Sequence, residues 1–412
     1  RLTPNEIDYL ITNSSPALLI AEKKFETTVK GLTSNVDILW MDEIFADLGS
    51  VGNETFDSVE IEEDHPLFIL YTSGTTGFPK GAVYSHKMLF WNSMNLTQSL
   101  SVTSDDHTIT CMPPFHTGGW NVLLTPMLHR GASVGIFKKF DPDWILKLME
   151  EEGRNIFMGV PTMLKMMSES SEFDRVTLRN MRYFIVGGEA LPLPVISTWH
   201  EKGIKIRQGY GMTEVGPNLT SLHHDDAERK KGSIGLPNFY VDIKLVDEKG
   251  NEIIGPGTGE LCISGPVVTP GYWNNDEATR KAIRDNWFHS GDMARIDDEG
   301  YLYIVDRIKS MYISGGENVY PAEVERVLCQ LEGVEEAVVI GVPDQKWGEV
   351  GKAIIRTAAN EELPDEIIFE HCCRYLAKFK VPKYIMRVSD LPKNASGKTD
   401  REEIRKKYAE KR

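Results

Sequence analysis

A run of hydroxyl residues and glycines closed by a lysine, Thr72-Ser-Gly-Thr-Thr-Gly-Phe-Pro-Lys80, has the composition to hold a polyphosphate. Gly74 and Gly77 let backbone N–H groups approach an anion closely. The hydroxyls of Thr72, Ser73, Thr75 and Thr76 donate to phosphate oxygens, and Lys80 supplies the countercharge. The order does not fit the common phosphate loop, where lysine is followed by Ser or Thr at the opening of a helix. Here Pro79 precedes Lys80 and Gly81 follows it. A structural turn rich in glycine and threonine has the same composition, so this stretch alone leaves both readings open.

Further groups with chemical capacity recur downstream. Pro113-Pro-Phe-His-Thr-Gly-Gly-Trp120 offers His116, whose plainer reading is a polar cap. Gly187-Gly-Glu-Ala-Leu-Pro192, with Gly188, Glu189 and Ala190, ends a buried strand, where ligands of open α/β sheets lie. In Gln208-Gly-Tyr-Gly-Met-Thr-Glu214, Tyr210 sits between Gly209 and Gly211. An aromatic ring can stack on a base, Thr213 can donate to phosphate, and Glu214 is a hard oxygen ligand for Mg2+. Asp292 closes Trp287-Phe-His-Ser-Gly-Asp292, where its plainer reading is a cap on the following turn. The following Asp297, Asp298 and Glu299 read as a solvated turn. Arg307 and Lys309 precede the tight Gly315-Gly316 pair, and Lys398 closes Leu391-Pro-Lys-Asn-Ala-Ser-Gly-Lys398, a stretch otherwise read as mobile surface. His223-His224-Asp225-Asp226 invites a metal, but adjacent histidines are expected to point apart, and no metal is assigned there.

These groups need elements to position them. Residues 67–71 and 81–85 read as strands flanking the phosphate-type loop. Thr3, Pro4 and Glu6 form a capping box for a first helix, and residues 17–20 a buried strand. Met88, Leu89, Phe90, Trp91, Met94 and Leu96 suit a buried helix. Strands over 108–112, 133–137, 156–159 and 183–186 alternate with helices such as 142–152, the pattern of a layered α/β domain with parallel strands. From about residue 232 short strands separated by Gly, Pro, Asp and Asn indicate a β-rich subdomain. Beyond Arg307 an α+β unit follows: a helix from Pro321 with Val324, Val327, Leu328 and Leu331 on one face, then strands 337–341 and 352–356. A helix with Ile368, Cys372, Tyr375, Leu376 and Phe379 on one face and a strand at 384–388 complete it. The expected fold is multidomain α/β, with a large domain over 1–308 and a small mobile α+β domain over 309–412.

Composition narrows the partners. Sixty-one acidic against 46 basic residues give a net charge of −15, which argues against nucleic acid and requires a nucleotide site to supply its positive charge locally. The five cysteines have no paired spacing, so neither a disulfide framework nor a zinc site is indicated, and a reducing, cytoplasmic setting fits. No apolar run has the length of a membrane span, leaving at most peripheral membrane contact.

Taken together, the Thr72–Lys80 string, Tyr210-Gly-Met-Thr-Glu214, Asp292, and the Ser-Gly-Lys398 string resemble, in order, the motifs of the adenylate-forming superfamily, in its acyl-CoA synthetase branch. The resemblance implies ATP, Mg2+ and coenzyme A as substrates and cofactor, with adenylation of a carboxylic acid followed by thioester formation. It places the Thr72–Lys80 loop on the pyrophosphate, Gly188, Glu189 and Ala190 beside the adenine, and Asp292 with Arg307 at the ribose. It assigns Glu214 to magnesium, and His116 to seating the carboxylate, with Trp120 walling the acid pocket. It also makes Lys309 the hinge, Gly315 and Gly316 the approach of the thiol, and Lys398 the cation bridging carboxylate and α-phosphate. Ser310 and Tyr312 depart from the family's commoner residues at the hinge. A family member carries a substantial segment before the first helix, so an N-terminally incomplete chain is expected.

A medium- or long-chain fatty acid is the expected substrate, with an aryl or cinnamate-like acid as alternative, because the pocket candidates His116, Trp120, Val186, Gly187, Gly188 and Gly211 aim no charge at a substrate amine. A peptide-synthetase adenylation domain would continue into a carrier domain, and a luciferase would emit light. From another class, a nucleotide-binding module without turnover stays open, and so does a homodimer.

Overall fold

The computed structural model describes residues 2–47, 57–72, 79–315, 317–358, 363–394 and 398–410. Ser73, Gly74, Thr75, Thr76, Gly77 and Gly316 lie outside the described residues. The chain divides into two compact units, Arg1–Met88 with Thr269–Lys281, and Leu89–Val268 with Ala282–Arg412.

In the first unit the helix Pro4–Ser14 opens on the expected capping box: Thr3 Oγ1 accepts the Glu6 N–H, and Glu6 Oε2 accepts the Thr3 N–H at 2.6 Å. The strands Pro66–Thr72 and Lys80–Ser85 pair antiparallel with Thr72 opposite Lys80, so the loop does join two strands. Tyr9 donates to the Pro79 carbonyl at 2.9 Å and Tyr71 to Asn13 at 2.6 Å, which ties the base of this hairpin to the first helix. Its other edge is fixed by Thr269 Oγ1 donating to the Val83 carbonyl at 2.6 Å.

The second unit carries a five-stranded sheet. Ile156–Gly159, Tyr183–Val186 and Ile206–Tyr210 run parallel, and Thr220–Ser221 and Leu236–Pro237 extend it antiparallel. The first two strands are wholly buried, as expected where helices cover both faces of a parallel sheet. Period-two alternation divides their side chains. Phe157 and Phe184 pack with Trp199, Leu146 and Leu164 on one face, while Ile156, Met158, Tyr183 and Ile185 meet Leu96, Val122 and Met127 on the other.

The helix His86–Ser99 differs from the expected buried apolar element. Phe90 is exposed, and the buried face includes Asn92, Ser93 and Asn95 beside Leu96. Each of these residues has a partner, although the Asn95 amide nitrogen has none among the described residues: Asn92 Nδ2 donates to the Asn121 carbonyl, Ser93 meets His129 Nδ1, and Asn95 Oδ1 accepts the Tyr240 N–H. Hydrogen bonding makes their burial tolerable where apolar periodicity alone pointed the other way.

An antiparallel sheet follows, built on Gly257–Ser264 and Trp287–Ile296, with Asp242–Val246 and Leu302–Arg307 flanking, as the β-rich texture indicated. Asp297 is not simply solvated. It accepts from Lys230 at 2.8 Å and from the N–H groups of Glu299 and Tyr301, closing the turn.

The C-terminal region has its own core, in which Tyr312, Val324, Leu328, Ile355, Ile368 and Cys372 pack together. Val334–Asp344 and Gly348–Thr357 form a long hairpin, with Tyr384–Arg387 parallel to its second strand. The expected face of the later helix is only half realised. The helix Asp365–Tyr375 stops before Leu376, whose backbone is extended, and Tyr375 and Phe379 are exposed. Pro382, shortly beyond, cannot continue a helix. Among the described residues no helix is long and apolar enough to cross a membrane.

Candidate active site

Gly209 and Gly211 flank Tyr210 for steric reasons. A Cβ on Gly209 would overlap Asn218 Oδ1, and one on Gly211 would overlap the backbone of Gly216 to Asn218. The chain therefore folds back tightly after the Ile206–Tyr210 strand, and Leu219 N–H closes onto the Tyr210 carbonyl at 2.7 Å. Thr213 and Glu214 follow in a single 3₁₀ turn that leaves the Glu214 side chain buried. A buried carboxylate is the kind of hard oxygen donor that magnesium takes.

Tyr210 reaches across to the neighbouring sheet and donates to Asp292 Oδ2 at 2.5 Å. Asp292 is only 2% exposed, and its other oxygen lies 2.8 Å from Arg307 Nε without an aligned hydrogen bond. That oxygen is a buried acceptor whose hydrogen-bonding capacity is not used among the described residues. Burial pushes the Asp292 carboxyl above the ordinary carboxylate range, with Arg307 and Tyr210 pulling it back. Burial, then the Asp292 charge, pushes the Tyr210 phenol well above its ordinary value. The Lys309 ammonium is lowered by burial and by Arg307, against the opposing pull of Asp292.

Gly188, with φ +87°, turns the chain away from the Tyr183–Val186 strand. Lys398 Nζ donates to its carbonyl at 2.9 Å. The same segment is held to the sheet by Gln208, whose Oε1 accepts the Leu191 N–H at 3.3 Å. Glu189, next in sequence, is exposed at its surface while protein packs about it. That crowding raises its carboxyl, against the pull of Lys398, Arg401 and Lys393. Burial lowers the Lys398 ammonium, opposed by Glu189 and reinforced by Arg307.

The backbone of Lys398 is tied to that of its neighbours. Asn394 N–H donates to the Lys398 carbonyl at 2.7 Å, Asn394 Oδ1 accepts the Lys398 N–H at 3.1 Å, and Lys393 bridges Thr399. Arg401 then clamps the start of the Arg401–Tyr408 helix onto both oxygens of Glu325, at 2.7 and 2.5 Å.

The remaining sequence candidates fall into separate places. His116 is extended, immediately before the helix Thr117–Asn121, with its ring 4.6 Å from that of Phe115. Gly315, with φ +62°, turns the chain between Tyr312–Ser314 and Glu317–Val319 and donates to the Trp347 carbonyl at 2.8 Å. Thr72 and Lys80 belong to the hairpin of the other unit, with Lys80 Nζ 5.4 Å from the centre of the Tyr272 ring. The structure thus joins Tyr210, Asp292, Arg307 and Lys309 in one cluster, and Gly188, Glu189 and Lys398 in another.

Two groups of described residues have donor atoms close enough to share a cation. In His223, His224 and Asp225 the two rings lie 4.0 Å apart, so the expectation that they point apart does not hold. In Glu260, Cys262 and His289 the imidazole Nδ1 lies 3.0 Å from Glu260 Oε2 and 3.3 Å from the sulfur. Sequence reasoning missed Gln208, Arg401, Glu325 and this second trio. Of these, the period-two spacing of Glu260 and Cys262 was the available signal.

Comparison with known proteins gives a consistent answer. The family model of the AMP-binding enzyme matches residues 1–273, and that of the AMP-binding enzyme C-terminal domain matches residues 323–398. A feruloyl-CoA synthase of Amycolatopsis sp is 36% identical over 408 residues, covering 99% of this chain and 82% of the relative. A long-chain-fatty-acid–CoA ligase, FadD13 of Mycobacterium tuberculosis, is 35% identical over 416 residues, with the same coverage of 99% and 82%. The solved structure of ATP-bound MatB from Rhodopseudomonas palustris is similar at a TM-score of 0.91 and 34% identity, covering 99% of this chain and 82% of that one. The chain belongs to the AMP-binding, adenylate-forming enzymes, in their branch of ATP-dependent acid–CoA ligases.

Proposed function

We propose that this ligase activates a medium- or long-chain fatty acid. A carboxylate oxygen attacks the α-phosphorus of ATP and pyrophosphate leaves. The sulfur of coenzyme A then attacks the acyl carbon and AMP leaves. The observation that carries the site reading is the Lys398 ammonium, set 2.9 Å from the Gly188 carbonyl at the end of a buried parallel strand. A phosphate oxygen entering there finds a cation already in place, and charge developing on the α-phosphate is stabilised without reorganisation. Asp292 is the acceptor for the ribose hydroxyls, its Oδ1 having no aligned donor among the described residues. Arg307 favours the charged form of that carboxylate against the burial that raises it. Glu214 would hold the Mg2+ of the nucleotide, which when bound supplies neutralising charge to the phosphates. His116 seats the acid, and Gly315 and Gly316 admit the thiol arm. Residues 309–412 form the small domain that carries Lys398, with Lys309 as its hinge. A cytoplasmic setting suits the five free cysteines.

The aliphatic choice rests on Trp120, Val186, Gly187 and Gly211, which present no charge to the acid. An aryl acid is the second reading, favoured by the similarity to a feruloyl-CoA synthase. Pyrophosphate exchange over a panel of fatty, cinnamic and benzoic acids tests both. Exchange with fatty acids supports the first reading, and exchange confined to aryl acids replaces it. ATP binding without exchange for any acid would indicate a module without turnover.

A further inference from the structure

The strand that presents Asp292 is irregular at that point. Cys262 pairs with His289 and Glu260 with Met293, so the single residue Leu261 faces the three residues 290–292. Gly291 takes φ +70° within this bulge. A bulged segment loses ladder hydrogen bonds, and its amides need other acceptors. Two side chains supply them. Ser290 Oγ accepts the Asp292 N–H at 3.0 Å while donating to the Leu261 carbonyl at 2.6 Å. Glu260 Oε1 accepts the Gly291 N–H at 3.1 Å, and its Oε2 lies 3.0 Å from His289 Nδ1, which donates to it as the Nδ1–H tautomer.

We infer that Glu260, braced by His289, is a positioning residue for nucleotide binding: it fixes the Gly291 bulge and so aims the Asp292 carboxylate at the ribose. The inference rests on the reading of Asp292 as the ribose acceptor. A purely packing role would not require both carboxylate oxygens of a partly buried glutamate to be committed within the bulged strand. A cation site is a poorer account of the trio, because Cys262 is fully buried and Lys244 and Arg284 bring positive charge to its sulfur. One Glu260 oxygen is moreover engaged by an amide that no metal would replace.

The test compares binding of AMP and of 2′,3′-dideoxy-AMP by calorimetry, and so needs no knowledge of the acid. Glu260→Ala should weaken AMP binding about tenfold, the scale of one hydrogen bond to a charged group, and leave the dideoxy nucleotide unchanged. Glu260→Gln, which keeps an acceptor for Gly291, should recover most of the loss. Glu260→Asp, too short to span Gly291 and His289 together, should behave like the alanine variant and serves if that variant does not fold. Equal weakening of both nucleotides would overturn the inference and leave Glu260 a structural residue. Asp292→Asn is the reference. If it fails to distinguish the two nucleotides, the ribose reading itself falls. If it distinguishes them and the Glu260 variants do not, only the positioning role is lost.

Discussion

Replacing Lys398 by alanine isolates the charge that the proposed mechanism places at the α-phosphate. Lys398 donates to a backbone carbonyl, and a phosphate oxygen taking that position would meet a full positive charge at about 3–4 Å. At an effective dielectric near 20 this interaction is worth about 4 kcal/mol. Removal of single oxyanion donors costs about 10²- to 10³-fold in rate, on the same scale. Adenylation by Lys398→Ala should therefore fall about 10³-fold. The fold should survive, because Glu189 faces solvent and keeps Arg401 and Lys393 as countercharges. Thioester formation from a supplied acyl-adenylate involves attack at the acyl carbon and no pentacoordinate phosphorus, and should be spared. The assay pairs pyrophosphate exchange with thioester synthesis from synthetic acyl-adenylate. Equal loss in both half-reactions would refute the reasoning. In the wild type, the lowered ammonium of Lys398 means that adenylation should decline as pH rises, starting below the ordinary lysine range.

Three further outcomes follow from the geometry. Asp292→Asn should raise the Tm of the unliganded protein while shrinking the shift induced by AMP. A carboxyl whose pKa is raised on folding costs stability once ionised, from its ordinary range upward, and the amide removes that cost. A lower unliganded Tm would contradict the sign. Lys309→Pro should spare adenylation and block thioester formation, since a fixed φ in the 3₁₀ turn Ile308–Ser310 resists rotation of the small domain; normal thioesterification would remove Lys309 as the hinge. Gly211→Ala forces a methyl into the backbone of Gly216 to Asn218 and should cost about 1–3 kcal/mol in urea denaturation as well as nucleotide affinity, whereas a silent variant would show that the turn relaxes freely.

The sequence was most readable where local chemistry and periodicity agree. The hairpin around Thr72 and Lys80, the buried parallel strands and the capping box at Thr3 all carry short-range signals, and each forms as expected. Apolar periodicity misled at His86–Ser99, because the partners of Asn92, Ser93 and Asn95 come from residues 29, 36 and 145 positions away. It misled again at Tyr375 and Phe379, where the helix ends four residues before the pattern does. Within the site, Asp292 and Lys398 were legible as motif residues, whereas Gln208, Glu260 and Arg401 act through contacts that only the folded chain creates.

The Gly188 carbonyl also bears on how freely Lys398 changes hands. A neutral dipole orders the ammonium and strips part of its water before any nucleotide arrives, yet it competes poorly with a true anion. The resting contact is thus a loose latch: strong enough to keep the cation from wandering into solvent, weak enough to be surrendered to the first phosphate oxygen that enters. Small oxyanions such as sulfate should exploit the same weakness, acting as competitors of ATP at concentrations where neutral solutes have no effect.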